Sequence, residues 1–159
     1  MTDLMLEGAT RAAGVSPSGA AALLALRAEP GLGVTELGRR VGLTQSAAAR
    51  MVDSLAAAGL VGRHDATARS VSVRLTTAGR EAAARLLTAR GEPLAGLLAD
   101  LTDADRERLT AVLEQVLAKV YARVGDTERV CRLCDRTICT NNAECPVGAA
   151  AREAAEAGR

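Results

Sequence analysis

Aromatic side chains are almost missing from this 159-residue chain: it has no Trp and no Phe, and Tyr121 stands alone. A core without large rings must be filled by Leu, Val and Ala, which favours closely packed helices. Histidine is nearly absent too. His64 is the single one, and its polar surroundings read as a surface position rather than a metal or pH site. No Ser/His/Asp set, HExxH motif or glycine-rich phosphate loop is visible, so the chain offers no apparatus for catalysis and is read as a non-enzyme. No apolar run approaches the roughly 20 residues of a membrane span, and no basic-then-apolar leader opens the chain. The expectation is a cytoplasmic protein that engages no membrane.

Excess charge is scarce as well, with a formal net of +1, but it is segregated. Between residues 35 and 75 six arginines (Arg39, Arg40, Arg50, Arg63, Arg69, Arg74) face three acids (Glu36, Asp53, Asp65), a local excess of +3. That is the sign a phosphate-facing surface needs.

The basic segment coincides with the most patterned stretch, VTELGRRVGLTQSAAARMVDSLAAAGL over residues 34–60. It predicts two short helices joined by a tight turn. Thr35 is the expected N-cap of the first and Thr44 of the second, with Gly42 supplying the turn. Ala48, Met51, Val52, Leu55 and Ala58 fall on one apolar face. Gln45, Ser46, Arg50 and Asp53 lie largely off it. This is the layout of a helix-turn-helix, whose second helix can enter the major groove of duplex DNA. Arg50 is placed to read guanine or hold a phosphate.

Upstream, residues 3–13 predict a short helix ending at Gly14. Ser16-Pro17 then starts a helix to Ala28, broken by Pro30-Gly31, with Gly33 completing a loop. Downstream, Leu60-Val61 begins one strand, and Val71, Val73 and Leu75 alternate with Ser72 and Arg74 in another. The polar segment from His64 to Ser70 joins them as a hairpin with a flexible tip. A basic hairpin directly after a helix-turn-helix is a wing. Arg63, Arg69 and Arg74 ride on it, where contact with phosphates or the minor groove is natural.

Thr76 caps a further helix to about Arg90. Gly91-Glu92-Pro93 is expected to break or kink it, because proline lacks the amide and clashes with the preceding turn. Helix then resumes through Asp100. Thr102 with Asp105 resembles a capping box, and it opens a helix whose Leu109, Val112, Leu113, Val116, Leu117, Val120, Tyr121 and Val124 form an unbroken apolar stripe. So wide a face needs a partner, within the monomer or across a homodimer.

All four cysteines fall within residues 131–145: Cys131, Cys134, Cys139 and Cys145, spaced C-x2-C-x4-C-x5-C. In a cytosolic setting such a cluster points to metal or redox chemistry. Four thiolates suit zinc or an iron–sulfur cluster, and the Cys145-Pro146 ending is seen in bacterial cluster motifs. Only one C-x2-C knuckle is present, and the charge of either centre would be offset equally by Arg129, Arg132 and Arg136. Zinc, a cluster and free redox thiols all remain open.

The order helix, helix-turn-helix, wing, long helices, with LTQSAAARMVDSLAAAGLV and LTTAGR as its most specific phrases, resembles the MarR family of winged-helix transcription regulators over about residues 16–124. The resemblance implies a mainly α, winged helix-turn-helix fold. It also implies a homodimer on a pseudo-palindromic operator, usually a repressor released by a small-molecule or redox effector. The family's reading positions map onto Thr44, Gln45, Ser46, Ala47 and Arg50, and its wing arginine onto Arg69. The chain departs from the pattern in three places. The wing tip reads Ala68-Arg69-Ser70 where Asp-Arg-Arg is common, which leaves Asp65 as the nearby carboxylate. Ala47 and Ala49 replace hydroxyl residues. The segment before Pro17 is short for a family that dimerises through both termini.

Residues 1–124 are thus expected to form the DNA-binding and dimerisation domain. Its lobe spans about 17–75, its dimerisation helices about 1–14 and 76–124, and residues 125–159 carry the four-cysteine extension. Two other readings compete: a zinc- or cluster-binding interaction module that does not read DNA sequence, and the dimerisation domain of an enzyme such as a methyltransferase, although no catalytic domain follows.

Overall fold

The computed structural model describes residues 2–67, 70–140 and 145–159, with side chains at 7–64, 71–139 and 145–159. In chain order the elements are α1 (Thr2–Ala13), α2 (Pro17–Ala28), β1 (Leu32–Gly33), α3 (Val34–Val41), α4 (Gln45–Ala57), β2 (Val61–Thr67), β3 (Ser70–Leu75), α5 (Thr77–Leu98), α6 (Asp103–Val124), α7 (Thr127–Cys131), α8 (Arg136–Thr140) and α9 (Pro146–Ala157). The fold is mainly α with a small antiparallel sheet, as the pattern of helices and hairpin implied.

The core is aliphatic throughout. Leu23, Leu26, Leu37, Val52, Val73 and Leu86 are its largest fully buried side chains, and alanines of α2 and α5 fill the gaps between them. Small residues let helices approach closely, which is how a chain without rings reaches dense packing. Gly38 is the sharpest case: a Cβ there would lie 2.6 Å from Cβ of Ala48, so glycine sets the spacing of α3 on α4. Gly79 plays the same part for the carbonyl of Leu60, into which a Cβ would be driven.

Helix starts follow their caps closely. Ser16 Oγ accepts from the Gly19 amide at 3.1 Å with Pro17 at the first helical position. Thr44 and Thr76 cap α4 and α5 by accepting from the amides of Ala47 and Gly79. Gly42 ends α3 in the left-handed region at φ 76°. Thr102 Oγ1 accepts from the Asp105 amide at 3.2 Å, but its hydroxyl also donates to the Asp105 carboxylate at 2.7 Å, in place of the reciprocal bond of a full capping box.

Four expectations need correction. Thr35 is not the N-cap of α3. Gly33 is, in extended conformation and without a side-chain bond, because its pairing with β3 holds it there and the helix starts at Val34. For the same reason the segment around Gly33 is no plain loop. Leu32-Gly33 is a third strand on Val73 and Ser72, giving sheet order β1-β3-β2. Strand β2 extends to Thr67, deeper into the polar tip than the hairpin pattern suggested, with the register shift between Asp65 and Thr67. Finally, Gly91-Glu92-Pro93 does not break the helix, and α5 runs unbroken from Thr77 to Leu98. Residues 91–97 are exposed, so the carbonyl that loses its amide partner to Pro93 can turn to water.

One long element, α6, stands outside the core, while α1 buries Ala9 and Ala13 in it. Helix α1 packs along α5, so the short N-terminal segment still supplies a helix. In α6 no residue is buried among the described residues. The last 35 residues fold back: α7 packs on α3 and α6, and α9 along α6. No described helix is long and apolar enough to cross a membrane.

Candidate nucleic-acid interface

Helix α4 turns Ala48, Met51, Val52 and Leu55 into the core. That burial fixes its rotation and leaves Thr44, Gln45, Ser46 and Arg50 exposed on the other side, with Ala47 half-buried among them. Arg50 forms no hydrogen bond or ion pair with any described residue, so its five donors are open to a partner. Directly beneath, α3 carries a different kind of arginine. Arg39 Nε and Nη2 donate to the two carboxylate oxygens of Glu36 at 2.9 and 2.7 Å. Arg40 reaches Glu36 at 2.8 Å and Glu29 at 2.6 Å. The hydrogen bonds from Arg39, then from Arg40, pull the Glu36 carboxyl down to about 2. These arginines brace α3 through the two carboxylates.

Among the described residues an ion pair joins the wing to the reading helix, Arg63 Nη2 to Asp53 Oδ1 at 2.6 Å. Ser72 Oγ donates to the His64 carbonyl at 3.2 Å and ties the two wing strands together. Arg74 lies elsewhere. Its guanidinium packs over Gly31, near Arg27, Arg80 and Thr137 around one surface hollow, so the structure does not bring it together with Arg50 and Arg63. Arg69, with Ala68 beside it, lies outside the described residues, as does the side chain of Asp65.

A groove of about 530 Å³ opens between α1, α2 and α4, lined by Glu7, Arg11, Ser16, Met51, Ser54 and Leu55 among others. It touches the core-facing side of the reading helix. Nothing in the sequence pattern pointed to it, since its walls come from three separate segments.

Known proteins place this arrangement. A description of the MarR family matches residues 13–70. A MarR family transcriptional regulator from Silicibacter pomeroyi is 32% identical, with 74% of this chain and 81% of that one covered and a TM-score of 0.55. The chain belongs to the MarR family. The YusO protein from Bacillus subtilis is similar at 25% identity over 70% of this chain and 80% of its own, with a TM-score of 0.64. A MarR family protein from Mycobacterium tuberculosis is similar at 26% over 71% and 82%, with a TM-score of 0.56. No curated protein matches the chain. MarR regulators bind DNA and act as dimers, and they are transcription factors rather than enzymes. In this MarR chain α4 is the recognition helix of the winged helix and β2–β3 its wing.

The cysteines are the part the family does not explain. All four are half-buried and free of disulfides. Hydrogen bonding from Cys131 pulls the Cys134 thiol down to about 6, and the same interaction with burial pushes Cys131 up. Burial, then the charges of Cys145 and Cys134, raise Cys139. Among the described residues no three His, Cys, Asp or Glu side chains converge tightly enough to cage an ion. Sequence spacing did not show where the segment is seated. Leu133 packs against the core of the DNA-binding lobe, beside Ala21, Val41 and Leu43. The Glu128–Arg136 pair at 2.6 Å sits with Cys131 and Cys134 over Ala25 and Arg40.

Proposed function

We propose that this MarR-family chain is a repressor that binds a pseudo-palindromic duplex operator as a homodimer. The N-terminal half of α4 from each protomer enters one major groove, and the wing lies on the flanking backbone. The observation that carries the reading is the recognition helix itself, with its far side locked in the core while Thr44, Gln45, Ser46 and the unpaired Arg50 stand outward. Arg50 supplies base readout, Ala47 can meet a thymine methyl, and Arg63 and Arg69 supply phosphate contact. Arg74, seated over Gly31 on the central strand β3, stands apart from these contacts.

Two protomers meet through the apolar face of α6. In one chain Val112, Leu113 and Val116 are 56%, 49% and 48% exposed, far more apolar surface in one run than an isolated domain leaves to water. The groove between α1, α2 and α4 suits a small-molecule effector, because whatever fills it presses on the recognition helix. The test is selection of bound duplexes from a random pool, followed by a reporter placed behind the selected site. An inverted repeat bound in the nanomolar range, with reporter output rising when the gene is deleted, supports the reading. Equal affinity for all duplexes would replace it with a module that does not read sequence.

A further inference from the structure

We propose that Arg27, Arg74 and Arg80 form a binding site for the phosphate group of a small dianionic ligand, seated where α2, β3 and α5 meet. These elements converge because α2 packs on both β3 and α5, and α5 packs on β3. Their junction leaves a hollow of about 390 Å³, lined by the three arginines, with Leu26, Pro30 and Leu75 as apolar walls. Both the size and the mix of apolar walls with a few polar groups suit a small ligand. No described acidic residue lines the hollow.

The fold holds each arginine in place while leaving donors open. Arg74 lies across Gly31, where a Cβ would stand 3.2, 3.5 and 3.7 Å from its Nη2, Cζ and Nε. A guanidinium covered on one face still presents its donors along its edge. Gly31 suits this seat for a second reason. Its φ of 92° is one that L side chains rarely adopt, and its amide donates to the Val73 carbonyl at 3.1 Å, pinning the turn to β3. Arg74 forms no hydrogen bond or ion pair with any described residue. Arg80 is anchored at the start of α5, donating from Nη1 to the Leu75 carbonyl at 3.1 Å and from Nη2 to Thr77 Oγ1 at 2.9 Å. Its Nε and one hydrogen on each Nη are left over. Arg27 Nε is buried with no partner among the described residues, a rare condition for a donor in a folded chain. Its Nη2 faces Asp135 Oδ2 at 4.0 Å, beyond hydrogen-bond reach.

Charge sets the class of ligand. Three guanidinium groups around one hollow repel each other, and Asp135 offsets only one of them. Asp135 is also engaged by Thr137, whose amide and hydroxyl both donate to its Oδ1. Thr137 therefore closes the tail side of the hollow as a wall rather than a donor. Two positive charges remain for a ligand to match, and the forked donors of arginine fit phosphate oxygens. A phosphate monoester is mainly dianionic at neutral pH. A duplex backbone offers single charges spaced along a rail, and the structure does not bring Arg74 together with Arg50 and Arg63. The hollow thus fits a small ligand better than DNA. This assignment does not rest on the operator-binding reading.

The test uses the full chain at low chloride, titrated with inorganic phosphate and followed by calorimetry and by NMR of the arginine Nε–H groups. Saturable one-to-one binding is expected, with shifts concentrated on Arg27, Arg74, Arg80 and the Gly31 amide. Acetate, a monoanion, should bind at least about 10-fold more weakly. Arg74→Gln and Arg80→Gln should each lower phosphate affinity by about 10-fold or more, as loss of a charge-assisted contact implies. Arg106→Gln, on the exposed surface of α6, should leave it unchanged. The mapped shifts come from the unmodified chain and stand whether or not a variant folds. Shifts spread over the exposed arginines without saturation would overturn the site. Acetate binding as tightly as phosphate would overturn the dianion. A random duplex, titrated in parallel, separates the two sources of phosphate. Unchanged duplex affinity in Arg74→Gln and Arg80→Gln supports the small ligand. Weaker duplex binding with a shallower salt dependence, in a chain that does not take up free phosphate, would make the cluster a backbone contact instead.

Discussion

At the scale of single residues the molecule divides its arginines by occupation. Arg39, Arg40 and Arg63 have carboxylate partners within 2.9 Å, whereas Arg50 has none among the described residues. Replacing Arg50 with alanine is expected to weaken operator binding by about 1–3 kcal/mol and to relax base preference at one position per half-site. Competition against single-base operator variants checks it, and an equal loss on random duplex would reassign Arg50 to phosphate. Glu36 gives a second residue-scale outcome. Its carboxyl sits near 2 because Arg39 and Arg40 hydrogen bond to the charged form. A depressed carboxyl contributes stability that is fully present above its unfolded value near 4.5 and is lost as pH falls through 2. Carbon-detected NMR should place the Glu36 midpoint near 2 in the folded protein, and Arg39→Ala should move it upward. A midpoint at the ordinary carboxylate value would show that the bracing pair on α3 does not persist in solution.

At the scale of elements, helix α5 shows how exposure changes the outcome of a local rule. Proline inside a helix costs roughly 3 kcal/mol relative to alanine in a fully formed interior, and on that rule the chain should break at residue 93. It does not, because the segment after Arg90 is solvated and the flanking turns are joined to a helix already anchored by Ala82, Ala83 and Leu86. Pro93→Ala should therefore stabilise the protein, raising the midpoint of thermal unfolding, by up to about that amount. A lower midpoint would mean that Pro93 shapes α5 for a contact made outside the single chain. The recognition helix tells the opposite story, with cap, turn and apolar spacing all agreeing with the fold, as a minimally frustrated segment should.

At the scale of the whole molecule the stripe on α6 is decisive. Since Val116 is 48% exposed in one chain, an aspartate there meets water in the monomer but becomes a buried, unpaired charge in a dimer. Val116→Asp is expected to give a folded monomer, with the helical signal retained and the mass halved in sedimentation. A variant that still sediments as a dimer would move the interface to another surface. Loss of dimerisation should also weaken operator binding steeply, because two half-sites are then no longer bound by one tethered unit.

Much of this was written locally in the chain. The caps at Ser16, Thr44 and Thr76, the turn at Gly42 and the period of the apolar residues on α4 depend on neighbours within about four positions, and those interactions are the same in the isolated sequence and in the fold. The reading side of α4 followed from the same periodicity, since whatever is not buried must face out. Tertiary structure decided what depends on segments far apart. Leu32-Gly33 carries no strand signal and became one only because Val73 and Ser72 offered it their free edge. Arg63 and Arg74, alike in sequence, were sent to different places by partners on other elements, Asp53 for one and Gly31 for the other. The spacing of the four cysteines set them close along the chain, but not that Leu133 packs their segment against the lobe while α9 lies on α6. Local hydrogen bonds and helical period are short-range forces that a linear pattern records. Long-range packing is chosen by whichever distant surface happens to fit, and that choice is made only when the chain folds.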